Sequence, residues 1–509
     1  MVAAACGLGA AELLVGIATG LRSPVVSVGD RVVDNVPTPI KDWAIDVFGT
    51  SDKAVLLGGV LVLLAAAAAG IGILAVRRGL RTGLVGVAVF ALVGAVASLG
   101  RGGDGVDAVV PSLVAGLVAA LALALLARQA AVSWPPAGPD PDGAVDMRRV
   151  DPTLDSRRRF LGTAAAMGAG AGVAVATGRW LRQRGVAAAE RLATVLPRAV
   201  RPLGPVPAGA DLGVPGAVPF ITPNADFFRI DTALSIPQVD PRSWSLTVSG
   251  RVDRPLTITY DELLARPMVE ADITLSCVSN EVGGSLVGNA RWLGCRLDEL
   301  LDEAGIDPSA DQVVGRSVDG FTAGFPTALL DGRDALVAVG MNGEPLPLRH
   351  GYPARLVVPG VYGYVSATKW LSDIELTRFD EFEGYWIPRG WAVEGPIKTQ
   401  SRIDTPTSGK ILTAGEKVAI AGVAWAPTRG IERVEVQVDD EPWVEAELGE
   451  QYADTTWRQW SLDWTPTEVR YHQLRVRATD GTGETQTAER TPMAPDGASG
   501  WHTFSINVR

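Results

Sequence analysis

Thr274-Leu275-Ser276-Cys277-Val278-Ser279-Asn280 is the stretch on which the reading of this 509-residue chain turns. The run up to Ser276 predicts a strand and the small polar residues after Cys277 predict a loop, so the thiol sits where a strand gives way to a turn. A thiolate there suits a thiophilic metal or nucleophilic chemistry. Two other readings stay open: a small buried apolar side chain, or a disulfide with Cys295 in an oxidising compartment. Zinc and iron–sulfur clusters need more ligands, at closer spacing, than the three cysteines and three histidines of this chain offer. Nucleophilic catalysis needs a base beside Cys277, and sequence alone does not bring His350 there. A metal held through Cys277 would therefore have to arrive with most of its own ligands.

Upstream the texture changes. Residues 2–21, 54–76, 83–99, 108–127 and 162–177 are apolar, each near the roughly 20 residues that cross a bilayer. Ser156-Arg157-Arg158-Arg159-Phe160-Leu161 runs into the fifth stretch in the pattern of a twin-arginine export signal, which serves proteins that fold before they cross the membrane. A plain basic flank of a transmembrane helix is the bland alternative. Folding before export is expected of a domain that takes up a cofactor in the cytoplasm. Arg77, Arg78 and Arg81, then Arg128, Arg148, Arg149 and the signal arginines, mark cytoplasmic loops, whereas residues 100–107 set Arg101 against Asp104 and Asp107. Five spans then leave the chain beyond about residue 179 on the outer face. Glu12 is the one carboxylate well inside a span, and a shift of that segment toward an interface accounts for it. The lack of basic residues before the first span hints at a start upstream of Met1.

No histidine falls in any span and no Cys-x-x-Cys-His occurs, so neither haem nor an iron–sulfur cluster is expected in this chain. A net charge of −11, with no long basic run beyond the signal, argues against nucleic acid as a partner. Residues 181–223 carry repeated Pro, Gly and Ala and read as a linker. From 224 to 405, short strand-like runs such as 245–248, 273–276 and 356–358 alternate with helical patches such as 298–304, which predicts an α+β domain. From 406 to 509, alternating runs at 417–425, 433–438, 459–463, 473–478 and 503–508 predict a β-sandwich.

Several segments carry a resemblance in matching order. Thr274 to Asn280 is similar to the cysteine loop Thr-Leu-x-Cys-Ala-Gly-Asn of the sulfite oxidase family of molybdenum enzymes. Ala290-Arg291-Trp292-Leu293-Gly294, Met341-Asn342-Gly343-Glu344-Pro345, His350-Gly351-Tyr352-Pro353-Ala354-Arg355 and Ser366-Ala367-Thr368-Lys369-Trp370-Leu371 resemble its later motifs. Residues 406–509 resemble its immunoglobulin-like dimerisation domain. After the five-helix transmembrane region read from the apolar stretches, which lies outside the resemblance, the resemblance implies a sulfite-oxidase-type molybdopterin domain of α+β fold and an immunoglobulin-like sandwich, with a homodimer in prospect.

By that resemblance Cys277 gives a thiolate to molybdenum, whose other ligands come from the molybdopterin dithiolene and from oxo or water. His350 and Arg355 match pterin contacts, and Thr368 and Lys369 lie near the phosphate end. Phe228, Arg229, Asp231 and Thr232 occupy the first cofactor loop, Asp319 the position of a pterin-contacting aspartate, and Asn280 closes the cysteine loop. Either Phe382 or Tyr385 stands at the active-site tyrosine, and Arg429 matches a substrate-pocket arginine from the C-terminal domain. The implied chemistry is two-electron oxygen-atom transfer on a small sulfur-containing substrate. Electrons then pass to or from an external haem protein, copper protein or quinone-linked carrier.

The chain also departs from the family. Glu281-Val282 stands where sulfite enzymes carry paired arginines, and Arg229-Ile230-Asp231-Thr232 where they carry Arg-Asn-His. Fewer cations weaken the case for an oxyanion substrate. The rival from another class is a cofactor-free binding ectodomain tethered to the membrane, which has no need of Cys277.

Overall fold

The structure, a computed structural model, describes residues 1–18, 21–37, 40, 47–48, 52–99, 106–133, 152–183 and 185–509. Arg101, Asp104, Arg148 and Arg149, which bear on the expected topology, lie outside the described residues. The chain divides into two compact units, Met1–Ala189 with Ala233–Asp240, and Glu190–Thr232 with Pro241–Arg509.

The first unit contains α1 (Val2–Ile17), α2 (Pro24–Asn35), α3 (Asp52–Arg78), α4 (Leu80–Ser98), α5 (Val110–Ser133) and α6 (Pro152–Gln183). Among the described residues four helices are long and apolar enough to cross a membrane: Val55–Arg78, Leu80–Ser98, Asp107–Ala130 and Arg157–Ala193. The expected first span differs. Its helix α1 has 16 residues, a rise of about 24 Å against a hydrocarbon core of about 30 Å.

Within this unit α1 touches α6 backbone to backbone. A Cβ added at Gly16 would lie 2.5 Å from the Gly178 carbonyl oxygen, and one at Gly178 would lie 2.2 Å from that of Glu12. Small residues are required there, as in other close membrane-type helix contacts. The same test at Gly70 and Gly72 of α3 meets nothing within 4 Å. Glu12 is buried, ion-paired to Arg182 of α6 at 2.8 Å and hydrogen-bonded by the Ser23 hydroxyl. A carboxylate so compensated is a structural tie.

The second unit is built on sheets. One joins, in spatial order, β2 (Leu256–Thr259), β1 (Ser245–Gly250), β10 (Leu371–Thr377), β5 (Gln312–Ser317) and β6 (Thr322–Pro326). Another runs β3 (Val269–Ser276), β4 (Val287–Arg296), β7 (Leu336–Met341) and β8 (Glu344–Pro345), with β9 (Arg355–Val357) paired to β7. The expected helical patch is the helix Leu297–Ala304, whose buried Leu297, Leu300, Leu301 and Ala304 follow its period of 3.6. It ends at Gly305, where φ is 74° and a side chain would be strained.

The register of β3 on β4 places the cysteine. Asp272 lies opposite Arg291 and takes a bidentate ion pair at 2.9 Å, and Thr274 lies opposite Asn289 and donates to it at 3.1 Å. A slip of one residue would bury both pairs unmatched. Beyond Asp380 the alternating runs form the sandwich, with Gln400–Thr405, Val418–Trp425 and Arg458–Trp464 in one sheet and Ile431–Val438, Tyr471–Asp480 and His502–Val508 in the other. Trp460, Ile420, Val434, Leu474 and Ile506 fill its core.

Candidate active site

β3 ends at Ser276, and the next residue is fixed by its own backbone. The Cys277 N–H donates to the Leu286 carbonyl at 2.9 Å, and its carbonyl accepts from Asn280 N–H at 3.1 Å. Asn280 Oδ1 accepts from Leu286 N–H at 2.8 Å, so this side chain braces the loop and does not line the cavity. Cys277 and Cys295 are buried and unlinked, which removes the disulfide reading. Burial pushes the Cys277 thiol up, while the Ser279 N–H and hydroxyl and the Lys369 cation pull it back.

The Cys277 thiol opens on a cavity of about 110 Å³. Phe228, Asp231, Thr232, Asp319, Arg355 and Lys369, scattered over some 140 positions, all line it. The first cofactor loop is stitched to this wall. Lys369 Nζ donates to the Ile230 carbonyl at 3.0 Å and to Asp231 at 3.2 Å, and the Thr232 hydroxyl donates to Asp319 at 3.3 Å. Trp370, with φ of 49° in the left-handed region, anchors the turn that presents Lys369, its indole donating to the Leu348 carbonyl at 2.8 Å.

Arg355 is the anomaly. It is 3% exposed, and among the described residues no carboxylate pairs with it. Its guanidinium reaches the His350 carbonyl at 3.1 Å and lies 5.0 Å from the Trp292 ring centroid. Burial alone pulls it down to about 9. A buried cation left so is costly unless an anion joins it. His350 is likewise incomplete. Its Nε2 sits 3.1 Å from the Asn224 carbonyl, which can only accept, so Nε2 carries the proton and Nδ1 is an acceptor. Nδ1 is buried and finds no partner among the described residues. Burial first, then Arg355 and Lys369, lower this imidazole to about 3, so it is neutral. Lys369 falls to about 8 by burial, against the opposing pull of Asp231.

Other expected residues stand back from the cavity. Thr368 is buried, its hydroxyl bonded to the Gly315 carbonyl at 3.4 Å, and Arg229 is paired with Asp231 at 2.8 Å. Tyr385 stacks edge-on with Trp386 at 5.2 Å without lining the cavity. Arg429 is held by Asp480 at 2.8 Å and by the Ile397 carbonyl and Thr399 hydroxyl, both at 3.0 Å. Sequence reasoning missed Tyr364, Trp386 and Trp391, which do line the cavity. The tryptophan density of 386–391 was the available signal.

The family model described as "Oxidoreductase molybdopterin binding domain" matches residues 233–386, and that of a bacterial Ig domain matches residues 400–504. An uncharacterized oxidoreductase, YuiH of Bacillus subtilis, is 33% identical over 156 residues, 31% of this chain and 76% of that protein. The chain belongs to the sulfite oxidase family of molybdopterin oxidoreductases. Mitochondrial sulfite oxidase of Mus musculus is 31% identical over 341 residues, 57% of this chain, and the chain covers 62% of that enzyme. The sulfane dehydrogenase SoxCD from Paracoccus pantotrophus, a solved structure, overlaps with a TM-score of 0.49 at 23% identity, covering 57% of this chain and 84% of that one. For a member of the family, the incomplete groups fit its cofactor. Arg355 and Lys369 would supply charge for an anionic group and the Cys277 thiol a soft ligand, while His350, whose Nδ1 would accept from an N–H donor, is not among the residues lining the cavity.

Proposed function

We propose that this chain is a membrane-anchored, molybdopterin-dependent oxidoreductase acting on a small sulfur-containing substrate, with its catalytic part on the outer face after twin-arginine export. The four long apolar helices support the anchoring. Its domains divide at 1–180 for the membrane helices, 181–223 for the linker, 224–405 for the cofactor domain and 406–509 for the sandwich. Overall the reaction is substrate plus water giving oxygenated product, two protons and two electrons, or its reverse, with the electrons carried by a separate redox protein or a quinone-linked carrier. Bound molybdenum supplies the two-electron exchange of an oxygen atom with water.

The chain's own residues bind and orient. Cys277 ligates through its thiolate, Arg355 and Lys369 neutralise the cofactor's anionic groups, and His350 accepts from a pterin N–H. Phe228, Asp231, Thr232 and Asp319 wall the cofactor. Asn280, Thr368 and Arg229 support these residues from behind, and Tyr385 and Arg429 position the loops around the substrate. The observation that carries this reading is Arg355, a buried cation among carbonyls and an aromatic ring with no carboxylate among the described residues. Metal analysis of the full-length protein from a cofactor-competent host tests it. Close to one molybdenum per chain is expected. Folded, exported protein without molybdenum would instead favour a tethered binding ectodomain.

A further inference from the structure

The cavity mixes a small charged set with many aromatic rings in its lining. Its charged lining comprises Asp231, Asp319, Arg355 and Lys369, two acids against two bases. Lys369 is already paired with Asp231, and both it and Arg355 are assigned above to the cofactor. From the cysteine loop outward the wall is aromatic. Gly363 lies where an added Cβ would come 4.0 Å from the Ser276 carbonyl, and the next residue, Tyr364, begins the wall. Tyr364 packs on Trp391 at 5.8 Å between ring centroids, Trp391 on Trp386 at 6.3 Å, Trp386 on Tyr385 at 5.2 Å and Tyr385 on Phe321 at 5.9 Å. Arg389 is the cation within this segment, and it is engaged. It lies 3.7 Å from the Tyr385 ring centroid and bonds the Tyr385 carbonyl.

The wall is braced. The Tyr364 hydroxyl donates to the Ala392 carbonyl at 2.7 Å, Trp391 N–H to the Trp386 carbonyl at 3.4 Å, and Ala392 N–H to the Pro495 carbonyl at 3.0 Å. Side chains held in this way form a preformed apolar surface, whose gain comes from area and from rings that need no reordering. A small dianion finds no uncommitted cation there and would leave its own hydration unreplaced.

We infer that Trp386, Trp391 and Tyr364 select a neutral substrate with an apolar body on its oxygen-exchanging heteroatom, in place of a free oxyanion such as sulfite. The inference rests on the molybdopterin reading above. For a sulfoxide the step balances as one sulfoxide, two protons and two electrons giving one thioether and one water, the S–O bond breaking and the electrons coming from a one-electron carrier. In the other direction a thioether and water give the sulfoxide and two protons, and the same two electrons leave to an oxidised carrier.

The test uses full-length, molybdenum-loaded enzyme in detergent, with metal content measured on each preparation. Three probes are compared: methyl phenyl sulfoxide with reduced viologen, thioanisole with ferricyanide, and sulfite with ferricyanide. One of the neutral pair is expected to exceed sulfite in kcat/KM by about a hundredfold. Trp391→Ala should raise KM for that probe about tenfold and change kcat by less than about threefold, with Trp391→Phe recovering most of the loss. Trp386→Arg, which adds a cation to the wall, should raise kcat/KM for sulfite about tenfold, a gain that misfolding cannot mimic. Loaded enzyme that prefers sulfite, or a Trp391→Ala enzyme with KM unmoved, overturns the inference and leaves the cofactor reading standing. Protein that never acquires molybdenum overturns both.

Discussion

Two arginines in the two halves of the second unit make opposite use of burial. Arg429, at the edge of the sandwich, is fully partnered by Asp480, Thr399 and a backbone carbonyl. Arg355, in the cavity lining, has carbonyls and an indole face but no acid among the described residues. The histidines repeat the contrast. In the sandwich His472 bonds Asp439 at 2.8 Å through Nδ1 and the Glu468 carbonyl at 3.0 Å through Nε2, whereas His350 leaves Nδ1 bare. Buried polar groups are normally satisfied within the fold, so an unmatched buried cation at a cavity is where an anionic group would complete it. The indoles of Trp425 and Trp460 in the sandwich also lack a partner among the described residues, but the ionic and imidazole groups Arg429 and His472 are matched there, whereas Arg355 and His350 are not.

The sharpest way to break that contrast is at the thiol. Cys277→Ser, measured in steady-state turnover, is expected to lose at least about a thousandfold, some 4 kcal/mol, while membrane export of the folded chain persists. Full turnover in this variant would remove Cys277 from the site. Next comes Arg355→Met. Molybdenum retained after dialysis should fall with an affinity loss of about a hundredfold. The cofactor-free protein should meanwhile gain about 1 kcal/mol in thermal unfolding, because an uncompensated buried charge has been replaced by an apolar side chain. A cofactor-free Arg355→Met that unfolds earlier than its parent would show that the guanidinium is structural.

Arg429→Met should behave in the reverse sense. It strands the fully buried Asp480 carboxylate, so denaturant unfolding of the chain should register a loss of about 3 kcal/mol, while molybdenum per folded chain holds steady. Parallel losses of metal and stability would erase the distinction between the two arginines.

The smallest effect is in acid. Burial first, then Arg402 and Arg490, lower His502 from 6.5 to about 4. An unfolded chain takes up this proton near pH 6.5 and the folded one does not. The contribution to stability is therefore whole above pH 6.5 and disappears as pH falls through about 4. Midpoints of urea unfolding between pH 7 and 4 should trace that decline. His502→Asn, which keeps an acceptor for the Ile403 N–H, should flatten most of this imidazole's share of the pH dependence. An unchanged slope would mean that the imidazole is protonated in the folded state.

Local pattern carried much of this architecture. Leu297, Leu300, Leu301 and Ala304 announce their helix by spacing, and the alternation at 433–438 and 473–478 announces two sandwich strands that do pair. The cysteine loop was legible because its residues are contiguous. What stayed hidden depends on partners far apart in sequence. Glu12 and Arg182 are 170 residues apart, so the ion pair that explains an acid within an apolar helix has no local trace. Asn280 belongs to the cysteine motif, yet its bond to Leu286 makes it a brace. The isolation of Arg355 is a three-dimensional fact, since acids such as Asp319 lie within the same domain without pairing with it. The aromatic wall escaped for the same reason, being assembled from Phe321, Tyr364 and the 385–391 loop.

The bond from Ala392 to Pro495 links that loop to a turn more than a hundred residues later in the chain. A remote turn is thereby fastened to the aromatic wall, so a change at Pro495 reaches the tryptophans through one backbone bond. If the wall selects substrate as proposed, variation in that distant turn offers a route to altered selectivity that leaves the lining residues themselves unchanged.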